Sequence, residues 1–134
     1  LVVDDEEQFL KFVKSGFEKR NNLNCFVAMN GFDAMRILGE RWIDVVLLDL
    51  KMPETNGIHV LRKVKKAHPM IEVIMVTGHA SMESVVECLK LGAYDYLMKP
   101  QSIIELEAKV KEAFDRKTAK EEKLRREKVD KILR

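Results

Sequence analysis

Short apolar segments alternate with longer amphipathic segments along most of the chain. Five apolar segments are nearly continuous, which is typical of β-strands buried on both faces. These predicted strands cover residues 1–3, 23–29, 43–48, 71–76 and 94–98. The amphipathic segments predict helices over residues 6–20, 32–40, 59–67 and 82–91, with a fifth helix after Ser102. This alternation predicts a parallel sheet with helices on both faces, an α/β doubly wound fold.

Residues that begin or end helices lie at the borders of these segments. Asn30 and Ser81 are candidate N-caps of the second and fourth helices, and Gly92 is a candidate terminator of the fourth. Ser102, with Glu105 three residues later, forms a capping box for the fifth helix. We expect this last helix to continue beyond the globular body, because the residues after 115 include strong helix formers and neither Gly nor Pro.

The length of 134 residues, 46% of them hydrophobic, suits one domain with its own core. The longest apolar run has five residues, far fewer than the ~18 of a membrane span, and we expect no signal peptide. Cys25 and Cys88 lack metal-binding spacing, and we expect two buried thiols of a cytoplasmic protein rather than a disulfide. Since the chain begins without Met, we expect its first strand to be incomplete.

The net charge of +2 hides an uneven distribution. Residues 116–134 contain 9 Lys or Arg against 4 Asp or Glu, whereas residues 1–115 contain 15 against 18. We therefore predict a mildly acidic domain over residues 1–115 and a charged helical linker or tail over 116–134. The tail has a poor heptad pattern, and its mixed charges favour a solvated linker that connects or dimerises over direct binding of nucleic acid.

Polar side chains follow four of the five predicted strands. Asp4 and Asp5 follow the first strand, Asp49 the third, Thr77 the fourth and Lys99 the fifth. The carboxyl ends of parallel strands share one edge of a sheet, where such folds bind ligands, so we expect these side chains to meet. Three crowded carboxylates repel one another, and one lysine cannot offset them. A hard cation such as Mg²⁺, which takes carboxylate, water and phosphate oxygens, resolves the conflict.

Such a site can act on a phosphoryl group. Asp49 is the predicted nucleophile, because a carboxylate can form an acyl phosphate. Lys99 and Mg²⁺ would balance charge on the transferring group, and the Thr77 hydroxyl would donate a hydrogen bond to it. The rival interpretation is a Mg²⁺-dependent phosphohydrolase of the haloacid-dehalogenase type. That family needs Asp-x-Asp after its first strand, whereas Asp4 and Asp5 are adjacent.

Four motifs in this order resemble those of the response-regulator receiver domain of two-component signalling. They are residues 3–6 (VDDE), 49–57 (DLKMPETNG), 76–79 (VTGH) and 94–100 (YDYLMKP). The resemblance covers residues 1 to about 115 and implies a flavodoxin-like receiver fold, with five parallel strands in the order 2-1-3-4-5. It also implies that a sensor histidine kinase transfers a phosphoryl group to the chain.

The resemblance implies a role for each residue at the strand ends. Asp49 is the implied phosphoacceptor, and Lys99 bonds to the phosphoryl group. Mg²⁺ is bound directly by Asp5, Asp49 and the backbone carbonyl of Lys51, and by Asp4 through water.

Further implied roles concern the switch and its surroundings. Thr77 and Tyr96 are the switch pair, which changes the face formed by the fourth helix, the fifth strand and the fifth helix. Lys51 and His79 flank the site and tune hydrolysis of the phosphoryl group. The peptide bond before Pro100 is expected to be cis.

The stretch from residue 77 to 96 resembles receivers of nitrogen-regulation-type, sigma-54-dependent activators. In those proteins a helical linker joins the receiver to ATPase and DNA-binding domains. We therefore expect a bacterial phosphorylation switch in transcription regulation, with a homodimer through the fourth and fifth helices. The alternative is a stand-alone regulator without an output domain. Either would be a regulator rather than an enzyme, promoting its own phosphoryl transfer and slow self-dephosphorylation, with no membrane partner.

Overall fold

The computed structural model describes residues 1–20 and 23–134. Within these ranges the strands are β1 (Val2–Val3), β2 (Val27–Ala28), β3 (Val45–Leu48), β4 (Lys51–Met52), β5 (Thr55–Asn56), β6 (Glu72–Thr77) and β7 (Asp95–Met98). The helices are α1 (Glu7–Glu18), α2 (Gly31–Glu40), α3 (Gly57–Ala67), α4 (Met82–Lys90) and α5 (Ile103–Leu133). Among the described helices, none is both long enough and apolar enough for a membrane crossing.

The main sheet has five parallel strands in the order β2-β1-β3-β6-β7. The predicted order 2-1-3-4-5 is confirmed, because β6 and β7 are the fourth and fifth strands of this sheet. The sequence pattern missed a small antiparallel hairpin of β4 and β5, which follows the carboxyl end of β3. Its turn contains Pro53 and Glu54, and the latter has a φ of 63°.

Successive residues of the central strands point into two separate hydrophobic cores. In β3, Val46 and Leu48 pack in the core beneath α2, α3 and α4, whereas Val45 and Leu47 pack in the core beneath α1 and α5. The strand is therefore apolar at every position, as the sequence pattern predicts for a sheet covered on both sides. Cys25 and Cys88 are buried free thiols, one in each core.

The predicted helix signals are confirmed. The side chain of Asn30 accepts a hydrogen bond from the Asp33 backbone N–H (2.8 Å) and begins α2. Ser81 begins α4, and Ser102 begins α5 with a complete capping box. Gly92 follows α4 with a φ of +101°, a conformation that a residue without Cβ adopts readily.

Ion pairs hold α5 against the amino-terminal edge of the sheet, beyond residue 115. Glu72, which begins β6 and is only 2% exposed, pairs with Lys120. Lys117, 5% exposed, donates to Asp44 (2.8 Å) just before β3 and to Glu121 (3.1 Å) on α5. Buried charges are tolerated when they are paired, so these contacts fix this part of α5 on the body. We call this group the basal ion cluster.

We expect the Lys120→Ala substitution to lower the free energy of unfolding of the full chain by about 1–3 kcal/mol, because Glu72 loses its nearest cation while buried. The matched control is Lys123→Ala, since Lys123 is exposed on the same helix and has no ion pair among the described residues. Urea unfolding followed by circular dichroism measures both changes. Equal stabilities of the two variants would show that the pair of Glu72 with Lys120 does not stabilise the fold.

Gly57, the first residue of α3, lies directly against the backbone that follows β3. A Cβ on Gly57 would lie 2.2 Å from the carbonyl oxygen of Asp49 and 2.8 Å from the Cα of Leu50. The Gly57 N–H also donates to the Leu50 carbonyl (2.8 Å). The absence of a side chain therefore permits the close approach that positions the loop carrying Asp49.

We expect Gly57→Ala to destabilise the fold by about 1–3 kcal/mol, because backbone atoms must move to admit the methyl group. Gly39→Ala is the control: a Cβ at this α2 position meets nothing within 4 Å, and alanine there should stabilise the chain by about 0.4–1 kcal/mol. Thermal denaturation of the two variants should give shifts of opposite sign. Two shifts of the same sign would contradict this interpretation.

Candidate functional site

The carboxyl-terminal edge of the main sheet brings together the polar residues that follow its strands. Asp4, Asp5 and Asp49 each direct a carboxylate oxygen to one place, where these atoms lie within 4.8 Å of one another. Asp4 is fully buried, Asp49 is 3% exposed and Asp5 is half-buried. Thr77, also fully buried, ends the adjacent strand β6. Three carboxylates so close together repel strongly unless a cation lies among them.

The backbone of Asp49 is hydrogen-bonded within the sheet, whereas one oxygen of its carboxylate has no hydrogen-bond partner among the described residues. Its N–H donates to the Val3 carbonyl (3.0 Å), which continues the pairing of β3 with β1. Its Oδ1 atom is buried and has no hydrogen-bond partner in the described part of the chain. Burial is the main cause that raises the pKa of Asp49, and it outweighs the opposing effects of Thr77 and Lys99.

Lys99 follows β7 and supplies the positive charge of the site. Its Nζ donates to Asp4 Oδ2 (2.7 Å) and to Glu6 Oε1 (3.1 Å), and lies 4.3 Å from the centre of the Phe9 ring. Burial lowers the pKa of Lys99, but the carboxylates of Asp4 and Glu6 more than compensate and the net shift is upward. Lys99 thus stays charged. Neither Glu6 nor Phe9 was expected at the site from the sequence, although Glu6 directly follows Asp5 and Phe9 comes three residues after Glu6.

A chain of hydrogen bonds connects Thr77 with Tyr96. The His79 N–H donates to Thr77 Oγ1 (3.1 Å), and the Tyr96 hydroxyl donates to the His79 carbonyl (3.2 Å). The same hydroxyl lies 3.4 Å from Ser84 Oγ, within the capping box of α4. The backbone of His79 therefore links the site to α4. Sequence reasoning missed Ser84, though its spacing of three from Ser81 is a capping pattern.

The remaining predicted residues lie around the rim. The side chains of Lys51 on β4 and His79 after β6 are exposed. The Lys99–Pro100 peptide bond is cis.

The cluster of Asp4, Asp5 and Asp49 provides the kind of ligands that bind Mg²⁺. Mg²⁺ is bound in proteins by a few carboxylate oxygens together with water and phosphate oxygens. The three aspartates offer such oxygens, and the unpartnered Oδ1 of Asp49 is available as a ligand. Lys99 neutralises only part of their charge.

Comparison with known proteins agrees with this geometry. Residues 1–111 match the model of the response regulator receiver domain, and the chain belongs to this family. It is 36% identical over 132 residues to a putative NtrX-like response regulator of Rickettsia felis, covering 97% of this chain and 26% of that protein. It is 34% identical over 113 residues to the DNA-binding transcriptional regulator NtrC of Escherichia coli K12, covering 84% of this chain and 24% of that protein.

Solved structures show the same fold. A CheY-like receiver domain of Methanospirillum hungatei JF-1 superimposes with a TM-score of 0.84 and 31% identity, over 89% of this chain and 94% of that one. NtrX of Brucella abortus superimposes with a TM-score of 0.83 and 28% identity, over 90% of this chain and 28% of that one. The chain is therefore a receiver domain related to the NtrC and NtrX regulators, and spans about a quarter of the curated relatives' length. Receiver domains act in phosphorylation-dependent signalling and bind Mg²⁺ in an acidic pocket.

We expect Asp49→Asn to raise the free energy of unfolding by about 1 kcal/mol in metal-free buffer, because it removes one of three mutually repelling carboxylate charges. Mg²⁺ should stabilise the wild-type chain by about 1.4 kcal/mol per tenfold excess over its dissociation constant, and should stabilise the variant much less. Thermal unfolding with EDTA and with increasing MgCl₂ measures both effects. Equal stabilisation of the two proteins would rule out Asp49 as a ligand.

Proposed function

We propose that this chain is a phosphorylation switch in which Asp49 accepts a phosphoryl group from a phosphohistidine of a sensor histidine kinase. The observation that carries the proposal is the buried Asp49 carboxylate, with an unpartnered Oδ1, among Asp4, Asp5 and Lys99. A sensor kinase partner and a cytoplasmic location belong to this proposal.

The proposed transfer is a displacement at phosphorus. A carboxylate oxygen of Asp49 bonds to phosphorus while the bond from phosphorus to the histidine nitrogen breaks, and the departing imidazole keeps the electron pair and takes up a proton from solvent. Lys99 and the Thr77 hydroxyl donate hydrogen bonds to the phosphoryl oxygens, which carry the negative charge.

Charge balance at the site requires a divalent cation as well as Lys99. Asp5, Asp49 and the backbone carbonyl of Lys51 would bind Mg²⁺ directly, and Asp4 would bind it through water. Mg²⁺ supplies positive charge that offsets the carboxylates and the phosphoryl oxygens.

Thr77 and Tyr96 form the proposed switch. When Thr77 turns its hydroxyl toward the phosphoryl group, the hydrogen bond from the His79 N–H to Thr77 Oγ1 is lost, and the loop between β6 and α4 is released. Tyr96, whose hydroxyl holds the carbonyl of that loop, follows the change. Lys51 and His79 stand at the rim and tune how fast water reaches the phosphoryl group.

The proposed output surface is the face of α4, β7 and α5. It carries exposed apolar side chains that the body leaves uncovered: Met82, Val86, Leu89, Met98 and Ile104. We propose that a homodimer forms through α4 and α5 and controls an output domain. The names of the longer relatives support transcription regulation through such a domain. A stand-alone regulator is the alternative, in which the same face would bind a separate partner.

Incubation with Mg²⁺ and acetyl phosphate tests the proposal. We expect mass spectrometry to show one added phosphoryl group on the wild type, none on Asp49→Ala and one on the control Asp115→Ala, which alters an exposed aspartate of α5. Light scattering should show altered dimerisation only in the proteins that are phosphorylated. Phosphorylation of Asp49→Ala, or repeated turnover of a small phosphate ester by the wild type, would contradict the proposed function.

A further inference from the structure

Glu6 occupies the N-cap position of α1 but does not cap the helix. Its side chain makes no capping hydrogen bond, although an N-cap side chain ordinarily accepts one from the first turn. Instead, its Oε1 accepts from Lys99 Nζ (3.1 Å), 93 residues away in the chain. Its backbone N–H donates to Asp4 Oδ1 (2.9 Å), which fixes the position from which the side chain reaches Lys99.

Glu6 and Asp4 together determine where the ammonium of Lys99 lies. Asp4 Oδ2 lies 2.7 Å from Nζ, and the Phe9 ring lies 4.3 Å from it, so Nζ sits between two carboxylates and an aromatic face. Asp49 Oδ1 meanwhile has no hydrogen-bond partner in the described residues. The cation is thus held on the β1–α1 side of the site.

We infer that Glu6 is a positioning residue that holds Lys99 in the unphosphorylated protein and must release it when a phosphoryl group binds. This inference rests on the proposed function, because it requires Lys99 to bond to the phosphoryl group at Asp49. An ammonium that turns to the phosphoryl oxygens exchanges its bond with Glu6 for one with them. The pair of Glu6 with Lys99 then exists only in the unphosphorylated state, and it opposes phosphorylation.

The solvent exposure of Glu6 and Lys99 determines how strongly their ion pair can oppose phosphorylation. The Glu6 side chain is 64% exposed and that of Lys99 is 15% exposed. An ion pair with one exposed partner contributes little, so removing it should favour the phosphorylated state roughly two- to fivefold. Because the Glu6 side chain is largely in solvent, substitutions there should leave the fold intact.

The test measures the affinity of the full chain for beryllofluoride, a phosphoryl mimic, by isothermal titration in Mg²⁺. We expect Glu6→Gln to bind about two- to fivefold more tightly than the wild type. Glu7→Gln is the control for loss of a negative charge at the start of α1. The Glu7 side chain is 69% exposed and, among the described residues, pairs only with Lys11, at 3.5 Å. Glu7→Gln should therefore bind beryllofluoride with the affinity of the wild type. Unchanged or weaker binding by Glu6→Gln would overturn the inference.

Glu6→Asp tests whether the effect comes from the ion pair with Lys99 or only from the negative charge at position 6. Aspartate keeps the negative charge but is one methylene shorter, and as a preferred N-cap residue it can turn to the first turn of α1. If the pair with Lys99 matters, Glu6→Asp should bind beryllofluoride as tightly as Glu6→Gln. Wild-type affinity in Glu6→Asp would assign the effect to charge alone and overturn the inference.

Two further measurements show whether Glu6 acts through Lys99. In a double-mutant cycle with Lys99→Ala, the effect of Glu6→Gln should disappear, because the ammonium that it releases is gone. The Mg²⁺ affinity without beryllofluoride should be the same in Glu6→Gln and Glu7→Gln. A weakened Mg²⁺ affinity in Glu6→Gln alone would make Glu6 part of the metal site and overturn the inference. Failure of the wild type to bind beryllofluoride would instead overturn the proposed function.

Discussion

Repulsion among three carboxylates within 4.8 Å of one another is the constraint on which the rest of this structure depends. Parallel pairing places Asp4 and Asp49 at neighbouring strand ends, and the small Gly57 lets the following loop return close to Asp49. The fold thus forces acidic groups into a poorly solvated place, where charge interactions are strong. One ammonium, that of Lys99, cannot neutralise them, and the remaining negative charge suits the site to a cation.

The site is connected to the surface through backbone atoms rather than through side chains alone. The His79 N–H donates to Thr77 Oγ1, and the His79 carbonyl accepts from the Tyr96 hydroxyl. The backbone of one residue therefore contacts both side chains. Tyr96 in turn lies beside Ser84, at the N-terminus of α4. A rotation of the Thr77 hydroxyl therefore changes the bonding of a segment that directly precedes an exposed apolar helix face.

The parts of the fold that periodicity encodes could be predicted from the sequence. Continuous apolar strands, the caps at Asn30 and Ser102 and the strand order followed from local patterns and from the family motifs. The β4–β5 hairpin was missed because its strand residues are mostly polar and lack the apolar run that marks the buried strands. The pairing of Glu72 with Lys120 was missed because it joins charged residues 48 positions apart. Glu6 was missed because its contact with Lys99 exists only once the two ends of the domain meet.

The basal ion cluster gives α5 the geometry of a lever. Asp44 directly precedes β3, which leads to Asp49, and Glu72 begins β6, which leads to Thr77. Their partners Lys117 and Lys120 lie within one turn of α5. Every residue from 123 to 134 is exposed, so the helix projects freely for ~18 Å beyond this fulcrum, at 1.5 Å per residue. A tilt of about 5° at the fulcrum displaces the far end by ~1.6 Å over that length. In this geometry, a small rotation of α5 about the basal ion cluster would move the tip of the helix further than the residues at the cluster.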